Sequence, residues 1–390
     1  MKRIARAASL AAAVSLIAMV ASAEEVRVGL LVTLSGPAAA VGKDHKNGWD
    51  LAVDHLGGKV GGVPLKTIYG DDQLKPDVAL GVVDKMLNQD KVHFVSGGMW
   101  TNIVMAIKDP ILKSGAIFVG TLAGPPQLAG KGCDPNFILT SFSGDQWAEA
   151  TGVLMNSDGI KNVYALVPNY QGGKDQLAGF ERFFKGEILQ RNLFKLNTVD
   201  YQPELTDIRA RKPQAVVIFA PGGMAIAFFK QWAQSGLGKD IKLYSIASMD
   251  QIALRATGES AVGSRFAQAW DPNGTSPANQ RFVKDFIAKY KSAPTHFAAW
   301  AYDGPMLIDS GVKAVKGNVA DKKGMIVAMR KADYASVRGA YSYNVNQFPI
   351  QNFYKMAVVL GADGKPTLKT EGIALPNHKD SYYQDCKMPF

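Results

Sequence analysis

Short apolar runs alternate with segments of helical period along nearly the whole chain, and this alternation restricts the fold more than any other feature. Residues 26–32 (VRVGLLV) read as a buried strand; a Leu34-Ser35-Gly36-Pro37 loop follows, then a helix carrying Trp49, Leu51, Ala52, Val53 and Leu56. Residues 65–69 make the next strand, closing on Asp71-Asp72, and Pro76 opens a helix through Val78, Val82, Val83 and Leu87. Strands at 92–95, 116–119 and 137–140 continue the series, with a helix from Thr101 and another around Trp147 to Met155. The pattern then starts afresh with strands at 161–167, 215–219 and 243–246. Glycine- and proline-rich turns at 168–173 and 221–223 and the Ser248-Met249-Asp250 turn close these strands. Strands that alternate with helices so regularly form a mostly parallel sheet with helices on both faces, and two successive series predict two such lobes. After the turn-rich 270–274, helices at 279–290 and 296–314 are joined by a short loop and pack as neighbours; a strand at 353–360 and a tail holding Cys386 finish the chain.

Residues 91–107 (KVHFVSGGMWTNIVMAI) are the pivot. An apolar run broken by Ser96-Gly97-Gly98 and resumed at helical spacing reads as strand, tight turn, helix. Such a unit points the free N–H groups of a helix start, with their partial positive charge, into the crevice beyond a parallel strand. Thr101 and Asn102 add short polar arms there, and Met99 and Trp100 add apolar surface. The stretch reads as half of a small-molecule pocket that accepts a carboxylate; the plainer alternative is a β-to-α turn capped by threonine.

Lys2, Arg3 and Arg6 precede an apolar run from Ala7 to Val20 that ends in Ala21-Ser22-Ala23, the pattern of an export leader cleaved after Ala23. The run is short for a membrane span, and no later segment approaches ~20 uninterrupted apolar residues. A soluble protein outside the cytoplasm is therefore expected. The full chain carries 44 basic and 34 acidic residues for a net charge of +10; without the three basic residues of the leader, 41 against 34 leaves +7. The Lys and Arg residues are scattered, with no basic run and no aromatic interleaving, so nucleic-acid binding is not expected. The remaining 367 residues exceed the size at which one core keeps growing, which again favours two domains. Two cysteines, Cys133 and Cys386, suit a single disulfide in an exported chain.

Catalytic signatures are missing. No G-x-S-x-G, H-E-x-x-H, G-x-x-x-x-G-K-[ST], C-x-x-C or strand-following G-x-G-x-x-G occurs, and the five histidines stand far apart, so neither enzyme chemistry, a metal nor a cofactor is expected. Asp71-Asp72 could serve as an acid/base pair, but a solvated turn pair is the commoner arrangement. Glycine and proline turns flanked by Tyr, Trp, Phe, Met, Thr, Asn and Ser suit ligand binding through amides, hydroxyls and aromatic faces.

In order and spacing, Val26-Arg27-Val28-Gly29, Leu34-Ser35-Gly36-Pro37, the turn at 96–102, Asn136-Phe137 before Thr140, Tyr170-Gln171-Gly172-Gly173 and Ala301-Tyr302-Asp303 resemble the type I periplasmic solute-binding proteins of ABC transporters, the branched-chain amino-acid receptor family, over residues 24–390. The resemblance implies two Rossmann-like lobes joined by a three-strand hinge, residues 24–143 with 275–345 and 144–274 with 346–390, closing on a ligand in the cleft. It also implies a monomer that hands its ligand to an inner-membrane permease. Where amino-acid receptors carry an aspartate for the substrate ammonium, this chain has Gly144, with Asp145 one place late; an unpaired ammonium in a closed cleft would cost several kcal/mol. The Gly120 to Gly124 turn, residues 169–174 and the cysteine placements resemble the subgroup that binds aromatic carboxylates such as benzoate, hydroxybenzoate or hydroxycinnamate. The expected site sets the carboxylate on Thr101, Asn102 and the backbone N–H groups of Leu122, Ala123 and Gly124. Trp100, Phe142 and Tyr170 enclose the ring, Asp250 or a neighbour receives a para-hydroxyl, and a Cys133–Cys386 bridge ties down the tail. The rivals are a branched-chain amino-acid or amide binder, the sensor domain of a signalling receptor, disfavoured by a chain that ends without a membrane segment, and an exported hydrolase.

Overall fold

The computed structural model describes residues 25–388, so the expected leader, residues 1–23, lies outside the described residues. The first sheet contains β1 (Val26–Val32), β2 (Lys59–Val60), β3 (Val63–Asp71), β4 (Phe94–Gly97), β5 (Ile117–Gly120) and β6 (Phe137–Leu139), in the order β2-β3-β1-β4-β5-β6. Only the β2–β3 hairpin is antiparallel. Central strands of a parallel sheet are covered on both faces, which is why Val26, Val28, Leu30, Leu31 and Val32 are all fully buried without alternation. The covering helices are α1 (Ala39–His55), α2 (Pro76–Asn88) and α3 (Thr101–Ser114), with the single turn α4 (Pro126–Ala129) between β5 and β6. Pro76 sits in the first turn of α2, where its missing N–H costs nothing, and Gly115 closes α3 in the left-handed conformation.

The second sheet holds β7 (Asn162–Pro168), β8 (Glu187–Phe194), β9 (Ala215–Phe219), β10 (Lys242–Ile246), β11 (Arg265–Gln268), β12 (Ser342–Tyr343), β13 (Pro349–Leu360) and β14 (Pro366–His378). Its order is β12-β13-β11-β10-β9-β7-β8, with β14 on the other side of β13. Strands β7 to β11 are parallel; β13 runs antiparallel to β11, and β14 to β13. Helices α5 (Gln146–Ser157), α6 (Gln171–Phe183), α7 (Gln202–Arg211), α8 (Gly223–Ser235) and α9 (Gln251–Thr257) belong to this half. The chain then returns to the first half as α10 (Pro277–Tyr290), α11 (His296–Ala314) and α12 (Lys322–Met329). Helices α1 and α11 pack so closely that a methyl group on Gly48 would lie 2.1 Å from the Ala298 carbonyl oxygen.

The chain passes between the sheets three times, at residues 140–145, 269–276 and 330–348, the three crossings the resemblance implies. The third crossing runs beside β6, the strand that leads into the first: Gln347 accepts from the Leu139 amide and donates to the Phe137 carbonyl at 2.6 Å, and the Tyr343 hydroxyl donates to the Leu139 carbonyl at 2.6 Å.

Two expectations change. Asp71 and Asp72 do not form a solvated pair: Asp72 is fully buried and accepts from Thr33 Oγ1 at 2.6 Å, while Asp71 accepts from the Leu34 and Gln73 amides, so the two carboxylates knit together the exits of β1 and β3. The tail is also more ordered than its composition implies, because residues 366–378 form β14. The strand is mostly exposed, with Lys369, Glu371 and Gly372 where an interior strand would show apolar alternation. Beyond it, Cys386 is bonded to Cys133, with Cα atoms 5.7 Å apart.

Candidate functional site

Strand β4 ends on Gly97 and Gly98, both at positive φ. A Cβ on Gly97 would stand 2.0 Å from the Leu31 carbonyl oxygen and one on Gly98 2.7 Å from Val104 Cγ2, so only glycine makes this turn. The turn delivers Trp100 as the residue before α3 and Thr101 as its first residue, with no side chain capping the helix. The first helical bond runs from Val104 N to Trp100 O, leaving the amides of residues 101–103 ahead of the ladder. Helix α6 begins the same way on the other sheet. Tyr170 precedes it, no side chain caps it, and its first bond runs from Lys174 N to Tyr170 O.

These two helix starts meet at one cavity. A methyl group on Gly172 would lie 2.8 Å from Tyr170 Oη and 2.9 Å from Thr101 Oγ1, so a residue from each half approaches the same point and glycine keeps that point open. The space open to water centres is about 60 Å³, several times the ~10–15 Å³ one water needs. Val41, Met99, Trp100, Thr101, Leu122, Ala123 and Phe297 wall it from the first half, and Tyr170, Gly172, Gln176, Phe219, Pro221 and Ala247 from the second. Phe142, Gly144 and Trp147 close it along the first crossing and the start of α5. The walls are held from behind. Trp100 donates through Nε1 to Thr33 Oγ1 at 2.9 Å, Tyr170 stacks on Phe219 with ring planes 20° apart, and Phe142 packs against Trp147 and Trp300 with centroids 4.7 and 4.9 Å away. Ala247 adopts φ +47°, a conformation costing an L-residue of order 1 kcal/mol and typical of backbone held in place at a site.

Among the described residues lining the cavity none is charged. Asp145 follows the wall residue Gly144, but its carboxylate turns inward to accept from Ser143 Oγ at 2.7 Å and Arg182 Nη1 at 2.9 Å. Burial pushes the Tyr170 phenol above its usual range, so it stays a neutral hydroxyl. Two polar atoms of wall residues, Trp147 Nε1 and Gln176 Oε1, are buried without a hydrogen-bond partner among the described residues.

Of the residues singled out from sequence, Trp100, Thr101, Leu122, Ala123, Phe142 and Tyr170 line this one cavity; Asn102, Gly124 and Asp250 do not. Asn102 is the second residue of α3, with a buried Oδ1 that has no partner. Gly124 accepts from the Gly144 amide at 2.6 Å, and a Cβ there would strike the Phe142 carbonyl, so it positions Phe142 instead of forming wall. The Ala123 amide, expected as a donor to ligand, is already committed to Gly98 O at 3.0 Å. Asp250 is the N-cap of α9 and accepts from the Ile252 and Ala253 amides, at 2.6 and 2.8 Å. Both bonds fall on Oδ1, and burial pushes the carboxyl pKa up to about 6. Trp147, Gln176, Phe219 and Phe297 are wall residues that sequence reasoning missed. Three are apolar positions within regular elements, indistinguishable from core by period; Gln176 could have been found as the residue one turn after Gly172 on the same face of α6.

Residues 25–365 match the family described as periplasmic binding protein. A Leu/Ile/Val-binding protein homologue of Brucella melitensis is 29% identical over 376 residues, covering 93% of this chain and 95% of that one. Among solved structures, an ABC-transporter solute-binding protein of R. palustris in complex with benzoate superposes with a TM-score of 0.88 at 31% identity, over 94% of this chain and all of that one. Another, from Rhodopseudomonas palustris BisB5 in complex with 3,4-dihydroxybenzoic acid, gives 0.86 at 28% identity, over 92% and 99%. A Thermotoga maritima leucine-binding protein at 18% identity and TM-score 0.78 shares the fold. Two sheets joined by three crossings, with a ligand-sized cavity between them, agree with these likenesses: the chain belongs to the periplasmic binding protein family, as a solute-binding protein of ABC-transporter type within the branched-chain amino-acid receptor group.

Proposed function

We propose that this protein captures a small aromatic carboxylate, of the benzoate, hydroxybenzoate or hydroxycinnamate type, and hands it unchanged to a membrane permease. The observation that carries the reading is the cavity itself: aromatic walls, no charged side chain among its described lining, and two uncapped helix starts with the hydroxyls of Thr101 and Tyr170 converging on it. A helix N-terminus holds an anion through oriented amides without a cationic side chain. The carboxylate belongs at the start of α3 beside Thr101, and the ring between Trp100, Phe142 and Tyr170. The benzoate and dihydroxybenzoate complexes of the two relatives support the same ligand class.

The name of the Brucella relative favours a second reading, capture of leucine, isoleucine or valine. It would leave an ammonium facing Gly144 with no carboxylate in the wall, at a cost of several kcal/mol. Turnover is disfavoured on similar grounds, since the polar side chains of the wall are Thr101, Tyr170, Gln176 and the indole N–H groups, with no nucleophile and base in reach of each other. Residues 24–143 with 275–345 and 144–274 with 346–390 would be the moving bodies of a monomer, exported to the periplasm with the leader cleaved after Ala23.

A thermal-shift screen of benzoate, hydroxybenzoates and hydroxycinnamates against the branched-chain amino acids tests the reading. A ligand at a thousand times its Kd stabilises by about 4 kcal/mol. An aromatic acid raising the melting temperature while leucine does not is the expected result; stabilisation by the amino acids alone overturns it.

A further inference from the structure

Two residues of the cavity wall carry polar atoms of opposite character that nothing among the described residues satisfies: the indole N–H of Trp147, a donor, and Gln176 Oε1, an acceptor. Both residues are at least 95% buried, so water does not serve them from bulk. Leaving such a group unpaired costs about 1–3 kcal/mol, a cost folding would have removed with an apolar residue unless something else pairs with the group. The buried carboxamide of Gln351 is fully used by contrast, accepting from Arg338 Nη1 at 2.7 Å and donating to the Ser141 carbonyl at 2.5 Å; Gln268 Nε2, Gln347 Oε1 and Trp300 Nε1 are also unpaired, but none of these residues lines the cavity.

The placement of the two orphans is specific. Gln176 stands one turn beyond Gly172 on α6, so it lies on the same helix face but deeper than the start of α6, where Tyr170 and Thr101 meet. A methyl group on Gly179, three residues further on, would lie 2.8 Å from Asp145 Cβ; that face of α6 therefore packs against the start of α5, the helix that carries Trp147. Gln176 and Trp147 accordingly mark the α5 side of the cavity, apart from the α3 side where the preceding reading puts the carboxylate. A carboxylate at the α5 side would satisfy the indole and repel the carboxamide oxygen. A hydroxyl satisfies both, since it accepts one hydrogen bond and donates another.

We propose that Gln176 and Trp147 read a hydroxyl group on the ligand, so that the site takes a hydroxylated aromatic acid in preference to benzoate itself. The proposal rests on the aromatic-acid reading and narrows it. The hydroxyl donates to Gln176 Oε1 and accepts from Trp147 Nε1–H, and Asp250, the acceptor expected from sequence, is not needed because it does not line the cavity. A site built to hydrogen-bond a substrate hydroxyl discriminates strongly against the analogue that lacks it, because the buried polar groups are then left bare.

Titration calorimetry with benzoate, 3-hydroxybenzoate, 4-hydroxybenzoate and 4-hydroxycinnamate tests this on the unmodified protein first. At least one hydroxylated acid should bind about tenfold or more tighter than benzoate. In Gln176→Met and Trp147→Phe the loss on that acid should exceed the loss on benzoate by about tenfold, compressing the ratio toward one. Benzoate binding as tightly as every hydroxylated acid overturns the proposal while leaving the aromatic-acid reading intact, and so do variants that weaken both ligands equally. Binding of no aromatic acid, with binding of leucine, overturns that reading and the proposal together.

Discussion

The third crossing and the cavity are both buried, and they differ in the charge and the density of pairing of their polar groups. At the crossing, Asp303 of α11 and Arg338 form an ion pair at 2.9 Å with both side chains out of solvent. Ser336 Oγ and the Val337 amide also donate to Asp303, Arg338 reaches Gln351 of β13, and its guanidinium lies 4.1 Å from the centre of the Tyr341 ring. The hydroxyls of Tyr334, Tyr341 and Tyr343 continue the chain of bonds to the Leu139 carbonyl. Among the described residues lining the cavity none is charged, yet a donor and an acceptor stand without partners there. Pairing at the crossing is dense but not complete, since Arg338 Nη2 and Gln347 Oε1 are left over; the buried ion pair is what sets this region apart from the cavity. Where the unpaired groups belong to residues lining an open space, as with Trp147 and Gln176, a ligand can supply the missing partners.

The contrast is most easily broken from the structural side. The Cys133–Cys386 bond closes a separation of 253 residues, and the tail it secures reaches the same region: Asn346 of the third crossing bonds both Asp380 and the Ala129 carbonyl. Loop-closure entropy sets the contribution of so long a crosslink at about 5 kcal/mol or somewhat less. Cys386→Ser should lower the unfolding free energy accordingly in chemical denaturation; an unchanged midpoint would show that the tail is held by its hydrogen bonds alone. Asp303→Leu comes next. Removing one partner of a buried pair strands the other, and a loss of about 3–5 kcal/mol is expected in the same measurement. A loss under ~1 kcal/mol would mean that water reaches Arg338 and that the crossing is not a closed network.

Behind the cavity, His296 packs edge-on against Trp147, 4.9 Å between centroids, and burial pushes its imidazole pKa from 6.5 down to about 3. The folded protein therefore binds fewer protons at this site than the unfolded chain between those two values, and the contribution of His296 to stability is present above pH 6.5 and lost as pH falls. Comparing the protein with His296→Phe isolates the effect from the buried carboxylates Asp44 and Asp250, whose pKa values are pushed up to about 6 and act in the opposite sense. From pH 7 to pH 5 the stability difference should move by about 2 kcal/mol in favour of the variant. A difference independent of pH would place water or a hydrogen-bond acceptor beside the ring.

The smallest effect falls on the ligand side. Thr101→Val keeps the shape of the side chain and removes its hydroxyl, and it should weaken an aromatic acid by roughly tenfold with little change in melting temperature of the free protein. A variant that binds as tightly as the unmodified protein would remove Thr101 from the anion site.

The same contrast explains what could be read from sequence. The parallel strands of both sheets are legible because strands buried on two faces must be continuously apolar and bounded by glycine and proline turns, as at 26–32 and 215–219. Strand β14 was not, because an exposed edge strand needs no apolar alternation, and its Lys369-Thr370-Glu371-Gly372 reads as loop. In the site, Thr101, Trp100 and Tyr170 were found because they sit at turns where the chain changes structure. Phe219 and Phe297 look like core in any window, and Asp250 looks like a ligand group until its own helix claims it. Whether a side chain is satisfied depends on neighbours far away in sequence; the turn that presents it does not.

Titration calorimetry of the unmodified protein with 4-hydroxybenzoate and with leucine, each alone and then in competition, tests the central claim most directly. Aromatic-acid capture predicts one-to-one binding of the hydroxybenzoate with a micromolar or tighter Kd, about −8 kcal/mol or more favourable, and no displacement by excess leucine. Saturable binding of leucine, with no heat from the aromatic acid, would contradict it.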